Sequence, residues 1–452
     1  MKAVNPATGE LIREVPEHDE REVAERLEQA ERAFASWRRF DFAERGRHLT
    51  SVADLLRESL PDFARLMTEE MGKTLASAEA EVEKCAWVCD FYAEHAADFL
   101  AAETVGTDAS RSLVRYDPLG PVLAIMPWNF PFWQFFRFAA PALMAGNVAV
   151  LKHASNVPGS ALAIEAAFRE AGFPDGVVTT LLVSSERAKR LIGHPAVRAV
   201  TLTGSDRAGM EVAAEAGRCL KKTVLELGGS DPFIVLADAD PAEAARQAAR
   251  ARTINSGQSC VAAKRFIVEE EIAAPFEEEF VQAMAGLKVG DPMDRNSEVG
   301  PLAREDLLDA LDDQVRRTVD AGARLRTGGH RLEGQGWFYA PTVLTGVEPG
   351  MPAFDEETFG PVAAVVRARD AAHAVELANR SQFGLGASVW TGDPARGETL
   401  AAEIDSGCIF VNGIVKSDPR LPFGGVKHSG YGRELSAVGI REFVNIKTVW
   451  VK

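Results

Sequence analysis

A chain of 452 residues with 46% hydrophobic and 26% charged side chains has the make-up of a soluble globular protein that buries its own core, so global disorder is excluded and no metal or disulfide staple is called for. Fifty Lys and Arg against 66 Asp and Glu leave a net charge of −16, a field that repels nucleic acid and anionic membranes and obliges any acidic substrate to find local cations. The five cysteines are odd in number and mostly far apart, and neither an apolar leader nor a bilayer span is visible, so a reducing, cytoplasmic location is expected.

The first hundred residues predict helices. Asp19-x-x-Glu22 spells a capping box, and Val23, Leu27, Ala30, Phe34 and Trp37 follow at helical spacing. A second amphipathic run carries Leu49, Val52, Ala53 and Leu56; a third starts at Pro61 and stops near Gly72, and 75–101 continues in Ala- and Glu-rich turns. From residue 120 short apolar runs take over, at 122–126, 148–151, 177–183, 199–203, 223–227 and 233–236. The helical pattern 158–171 lies between two of them and closes at Gly172-Phe173-Pro174. Strand alternating with helix predicts an α/β architecture with a parallel sheet. Further helices are expected at 238–250 and 270–287, with a long charged one over 297–323. Further strands are expected at 363–367, 387–390 and 409–411.

Several short segments carry chemistry. Asn255-Ser256-Gly257-Gln258-Ser259-Cys260 sets a thiol among small and polar residues; a thiolate there is a strong nucleophile, although an isolated cysteine is more often a small buried hydrophobe. Pro127-Trp128-Asn129-Phe130-Pro131 follows a strand, where Asn129 either satisfies the turn or aims its amide at a developing oxyanion. Glu226 ends another strand before Gly228 and Gly229, in a position suited to general-base work or to simple solvation. Gly204 and Ser205 link a strand to a helix whose N-terminus suits a phosphate, but the Gly204–Gly209 spacing is not the G-x-G-x-x-G fingerprint. No cluster reads as a metal site.

Taken in order, these motifs with Lys152, Glu356-Glu357-Thr358-Phe359-Gly360-Pro361 and Pro422-Phe423-Gly424-Gly425-Val426-Lys427 resemble the aldehyde dehydrogenase superfamily, from Asn5 to the chain's end. The spellings at 151–158, 226–233 and 425–434 are most similar to its short succinate-semialdehyde dehydrogenases. The resemblance implies a doubly wound Rossmann-type cofactor domain (1–99 and 119–228) and an α/β catalytic domain (229–428). It also implies a small β oligomerisation element (100–118 and 429–452) that builds a homodimer or homotetramer. Cys260 becomes the nucleophile, Asn129 and the Cys260 N–H the oxyanion donors, and Glu226 the base that activates the deacylating water. Glu434 joins a polar path to Glu226. Pro127, Trp128, Lys152, Ser155, Gly204, Ser205, Leu227, Glu357 and Phe359 hold the dinucleotide. The implied reaction passes through a thiohemiacetal, hydride loss to nicotinamide, and a thioester hydrolysed to the acid.

Ser155 stands where NAD-preferring relatives often carry Glu, so NADP is expected to be preferred over NAD, with His153 assisting if protonated. For a substrate carboxylate, Arg137 is the first choice, with Trp133 one turn before it on the same helical face. Ser259, Ser417 and Arg420 are further choices, and the alternative for Arg137 is a pairing with an internal Glu. A CoA-acylating enzyme is disfavoured by Glu226, and a non-catalytic binding protein by Cys260, Glu226 and Asn129 together. Ala262 excludes a local disulfide switch with Cys260.

Overall fold

A computed structural model describes all 452 residues. The capping box forms as spelled, Asp19 accepting from Glu22 N–H while Glu22 reaches back, and Asp41 with Glu44 repeats it on the next helix. Helices Glu20–Trp37, Phe42–Glu58, Leu60–Met71 and Leu75–Phe99 pack with a six-stranded sheet into one large core. The strand order is Gly430–Tyr431, Lys222–Glu226, Ala199–Thr203, Pro121–Met126, Val148–His153, Val178–Thr180, and all but the first are parallel. Registers Met126↔His153, Ile125↔Leu202 and Thr203↔Glu226 bring these strands' carboxyl ends to one edge. Ligands gather at that edge in open parallel sheets.

A seven-stranded sheet forms the second half, ordered Arg324–Thr327, Thr342–Thr345, Val362–Ala368, Arg265–Glu269, Pro232–Val235, Gly386–Trp390, Cys408–Val411. Period-two alternation sends Phe233 and Val235 into one apolar cluster and Ile234 into the other, so both faces are covered. Three of its strands were not foreseen. Arg265–Glu269 opens on a charge that is fully buried, donating to the carbonyls of Ser230, Leu377 and Ala378. The helix expected over 297–323 spans only Glu305–Asp320, because Gly300 and Pro301 run as a strap against the 255–260 segment.

A third sheet has three strands, the last of them mostly exposed. Val444–Val451 pairs antiparallel with Arg111–Pro118, which also pairs with Glu103–Thr104. The element expected over 429–452 therefore begins later than the sequence suggested. Gly430–Tyr431 instead completes the six-stranded sheet against Glu226 and Leu225, satisfying an edge that would otherwise be open, and Glu434 exchanges backbone hydrogen bonds with Phe423. No helix is long and apolar enough to cross a membrane.

Candidate active site

The cysteine loop is built from strained backbone. Helix Pro241–Thr253 stops at Ile254, and Asn255 and Ser256 take left-handed φ of 53° and 58°. Gly257 follows at φ 79°, where a Cβ would collide with the backbone of Gly360. Two side chains make the strain worthwhile. Asn255 donates to the carbonyls of Asn129 (2.8 Å) and Gln258 (3.2 Å), and Ser256 Oγ accepts from Gly300 N–H at 2.9 Å. The loop is thereby stitched to the 127–131 turn, which follows a strand of the six-stranded sheet.

Cys260 is half-buried, and burial pushes its thiol up to about 12 against the pull of Arg137 and Lys264. Asn129 Nδ2 donates to Gln258 O at 3.1 Å, which leaves its second N–H uncommitted. Two cavities meet at the sulfur, and Cys260 and Gln134 line both. The larger, about 390 Å³, is walled by Pro127, Trp128, Gly204, Ser205, Leu227, Glu357 and Phe359, seven of the nine residues expected to hold the dinucleotide. Phe359 stands edge-on to Trp128 at 5.8 Å between ring centroids. Gly228 and Gly229 let Glu357 and the Cys260 carbonyl approach, because a Cβ at either would stand under 3 Å from them. Ser205 caps helix Asp206–Arg218, its Oγ accepting from Ala208 N–H at 3.3 Å. Lys152 lies further along the same sheet edge in a separate cavity of about 340 Å³, beside Ser185. Ser155 is exposed in a turn and does not cap helix Pro158–Glu170, whose N-cap is Val157.

The smaller cavity, about 190 Å³, contains Trp133, Arg137, Ser259 and Ser417. Ser259 Oγ is buried there without a hydrogen-bond partner. Arg420 lies outside it: its guanidinium is engaged by Asp418 at 2.8 and 2.7 Å and rests over the exposed Trp87 ring. Arg137 also differs from its first expectation. It does reach the cavity from helix Trp133–Met144, but its charge is paired with buried Glu434 and its guanidinium lies over Phe423, so the internal-Glu alternative holds. His153 does not assist as a cation. It is buried between Pro131 O and Ala154 N–H, and burial drops its pKa to about 4.

Glu226 ends its strand as expected, yet its carboxyl lines neither cavity. It packs beside Gly424, with both oxygens unpartnered, near Arg137, Glu434 and Arg433. Burial, reinforced by Glu434 and opposed by the arginines, pushes its pKa well above the carboxylate range. Sequence reasoning missed Lys84. Its Nζ enters the smaller cavity, 2.8 Å from Ser417 Oγ and 4.3 Å from the Trp133 ring centre, without a carboxylate partner. Gln134 and Arg304 were missed too, the latter stacking on Trp128 at the mouth of the larger cavity.

The model of the aldehyde dehydrogenase family matches residues 1–449. The chain belongs to the aldehyde dehydrogenase family. It is 52% identical over 451 residues to a protein of Synechocystis sp. named probable succinate-semialdehyde dehydrogenase [NADP(+)], covering 100% of this chain and 99% of that one. The succinate-semialdehyde dehydrogenase [NADP(+)] 1 of Mycobacterium tuberculosis is 51% identical over 454 residues, with the same coverage. A crystal structure of succinic semialdehyde dehydrogenase from Streptococcus pyogenes in complex with NADP+ superposes with a TM-score of 0.97. The two are 38% identical, covering 100% of this chain and 99% of that one. In this aldehyde dehydrogenase Cys260 lines both cavities, the arrangement that brings a substrate and a hydride acceptor to one thiol.

Proposed function

We propose that this aldehyde dehydrogenase oxidises succinate semialdehyde to succinate with NADP, Cys260 being the nucleophile. The observation that carries the reading is the pair of cavities that share Cys260, the smaller of them lined also by Lys84 and Ser417. A four-carbon chain anchored by its carboxylate at Lys84 and Ser417 would reach the sulfur with its aldehyde end. The names of the three relatives support the same substrate and cofactor.

The residues present fit the dinucleotide. Glu357 and Lys152 would hold its riboses, Ser205 and the helix it caps a phosphate, and Trp128 and Phe359 the nicotinamide end. Exposed Ser155, free of any capping duty, presents a hydroxyl to a 2′-phosphate without the repulsion that a carboxylate would add. When bound, the nicotinamide supplies a hydride acceptor. The protein's own contribution is ordered. The thiol of Cys260, neutral at rest, gives its proton to solvent water as the sulfur adds to the aldehyde carbon, while Asn129 and the Cys260 N–H stabilise the oxygen that takes up the charge. Once the thiohemiacetal is oxidised to a thioester, Glu226 in its carboxylate form would turn from its place beside Gly424 and take a proton from water, and the hydroxide would release the acid. The pair Arg137–Glu434 keeps the charge around Glu226 balanced.

The paired strands Arg111–Pro118 and Val444–Val451 expose Ile446 and Trp450, which supports assembly into a homodimer or homotetramer. Five unpaired cysteines support a reducing, cytoplasmic setting. A panel of succinate semialdehyde, butanal and propanal with NADP and NAD, followed at the reduced-nicotinamide absorbance, tests the reading. The highest kcat/KM is expected for succinate semialdehyde with NADP; an equal or higher value for butanal would overturn the substrate assignment.

A further inference from the structure

Lys264 lies four residues after the nucleophile and takes no part in the scheme above, yet its side chain is completely buried at the centre of the site. An ammonium has three N–H donors. Two of these are donated, to Ser259 O at 3.0 Å and to Cys260 O at 2.8 Å, and Glu357 Oε1 makes an ion pair with the ammonium at 3.3 Å. Burying a cation is costly unless it is paired, and here two carbonyls and a carboxylate surround the ammonium and offset that cost. A second buried cation, Arg252, donates to Gly257 O at 2.7 Å, so three carbonyls of the 257–260 loop rest on positive charge.

The geometry of one peptide unit gives that charge a consequence. Ser259 C=O and Cys260 N–H belong to the same trans amide, so the two bonds point in opposite directions. With the carbonyl held by Lys264, the N–H is directed away from the ammonium, and it donates to no acceptor in the protein. Charge on the oxygen side draws electron density through the amide and makes the N–H a stronger donor, as in polarised hydrogen-bond chains. The same ammonium reaches Glu357, whose carboxylate also accepts from Gly229 N–H at 3.0 Å.

We infer that Lys264 is a positioning residue for the oxyanion, fixing and polarising the Ser259–Cys260 peptide so that the Cys260 N–H is aimed at the oxygen of the tetrahedral adduct, and tying that peptide to Glu357. The inference rests on Cys260 as nucleophile but not on the identity of the aldehyde or the dinucleotide. It separates reactions at Cys260 that develop an oxyanion from those that do not.

The test therefore uses two cofactor-free reactions of the whole enzyme. With p-nitrophenyl acetate, the thiolate forms an S–C bond to the carbonyl carbon, and the tetrahedral oxyanion collapses to acyl-enzyme and p-nitrophenolate. With iodoacetamide, the thiolate displaces iodide at a saturated carbon and no oxyanion forms. Both share the ionisation of Cys260, so the ratio of acylation to alkylation rate isolates the oxyanion. In Lys264→Met that ratio should fall roughly tenfold or more, approaching the loss seen when an oxyanion donor is removed. Lys264→Arg, which keeps the charge and the donors, should recover most of it. Lys264→Gln, a neutral donor, serves if the Met variant does not fold, with thermal melting as the check. An unchanged ratio in folded Lys264→Met or Lys264→Gln, or a fall that Lys264→Arg fails to reverse, overturns the inference. Failure of the wild type to oxidise succinate semialdehyde would leave these rates untouched, so the two proposals fail separately.

Discussion

Lys84→Met isolates the group that would receive the substrate's carboxylate. The Nζ of Lys84 has a hydroxyl partner at Ser417 and an aromatic face at Trp133, but no counter-ion, so an arriving carboxylate would supply its missing charge. A hydrogen bond to a charged group in such a half-buried place contributes about 1.5–3 kcal/mol. At roughly 1.4 kcal/mol per decade, its loss should raise KM for succinate semialdehyde by about 10- to 100-fold. Butanal has the same chain length and no carboxylate, and its KM should move by less than about threefold. The pH arm has a definite sign. Burial, then repulsion from Arg137, lowers the Lys84 pKa to about 8, so the ammonium is present below that pH and lost above it. KM for succinate semialdehyde should thus be flat on the acid side and climb on the alkaline side in the wild type, and stay high and flat in Lys84→Met. Steady-state kinetics with both aldehydes across that range decide the matter. Equal rises for the two aldehydes, or a wild-type KM that ignores pH, would refute the assignment.

Other expectations are simpler. Cys260→Ala should abolish both aldehyde oxidation and ester hydrolysis; residual turnover in either assay would place the nucleophile elsewhere. Glu226→Gln should release one burst of reduced cofactor per site and then stall at the thioester, as read by stopped-flow absorbance. Ser155→Glu should shift preference from NADP toward NAD by at least about tenfold in kcat/KM, through repulsion of a 2′-phosphate. Arg137→Met removes the counter-charge of two buried carboxyls, Glu226 and Glu434, and breaking a buried pair costs about 3–5 kcal/mol. Both carboxyls already have raised pKa values in the fold and would be raised further, so this cost should be felt at neutral and higher pH and should shrink as acid protonates them. Calorimetric melting at two pH values would show this as a smaller loss of Tm on the acid side.

Much of the fold was legible because it follows from local periodicity. Capping boxes, the Gly72 stop and the strands at the six-stranded sheet's edge all arise from patterns a few residues long. The family motifs likewise sit in short segments, which is why Cys260, Asn129 and the walls of the larger cavity were found. The strand at Arg265–Glu269 was hidden because its first residue is a charge, and only the distant carbonyls of Ser230, Leu377 and Ala378 make that charge tolerable inside. The helix over 297–323 was overextended for the converse reason. The strap that uncoils its start is anchored to Ser256 and Gln258, partners no window of neighbouring residues contains.

The same distinction explains the substrate pocket. Arg137, a cation among phenylalanines, reads first as a substrate ligand, because its partner Glu434 is nearly three hundred positions away and no local pattern shows the pair. Lys84 looked like one more charge on a Glu-rich amphipathic helix. Its neighbours Trp133 and Ser417 arrive from other elements, and only their convergence turns a solvated face into a lined cavity. The structure thus exchanges the two cations' expected parts: the one that looked costly is internally neutralised, and the one that looked ordinary is left without a counter-ion. In a protein of charge −16, an ammonium without a counter-ion in the cavity of a half-buried nucleophile is what an anionic aldehyde needs, since the outer field repels it and only a local cation offsets that repulsion.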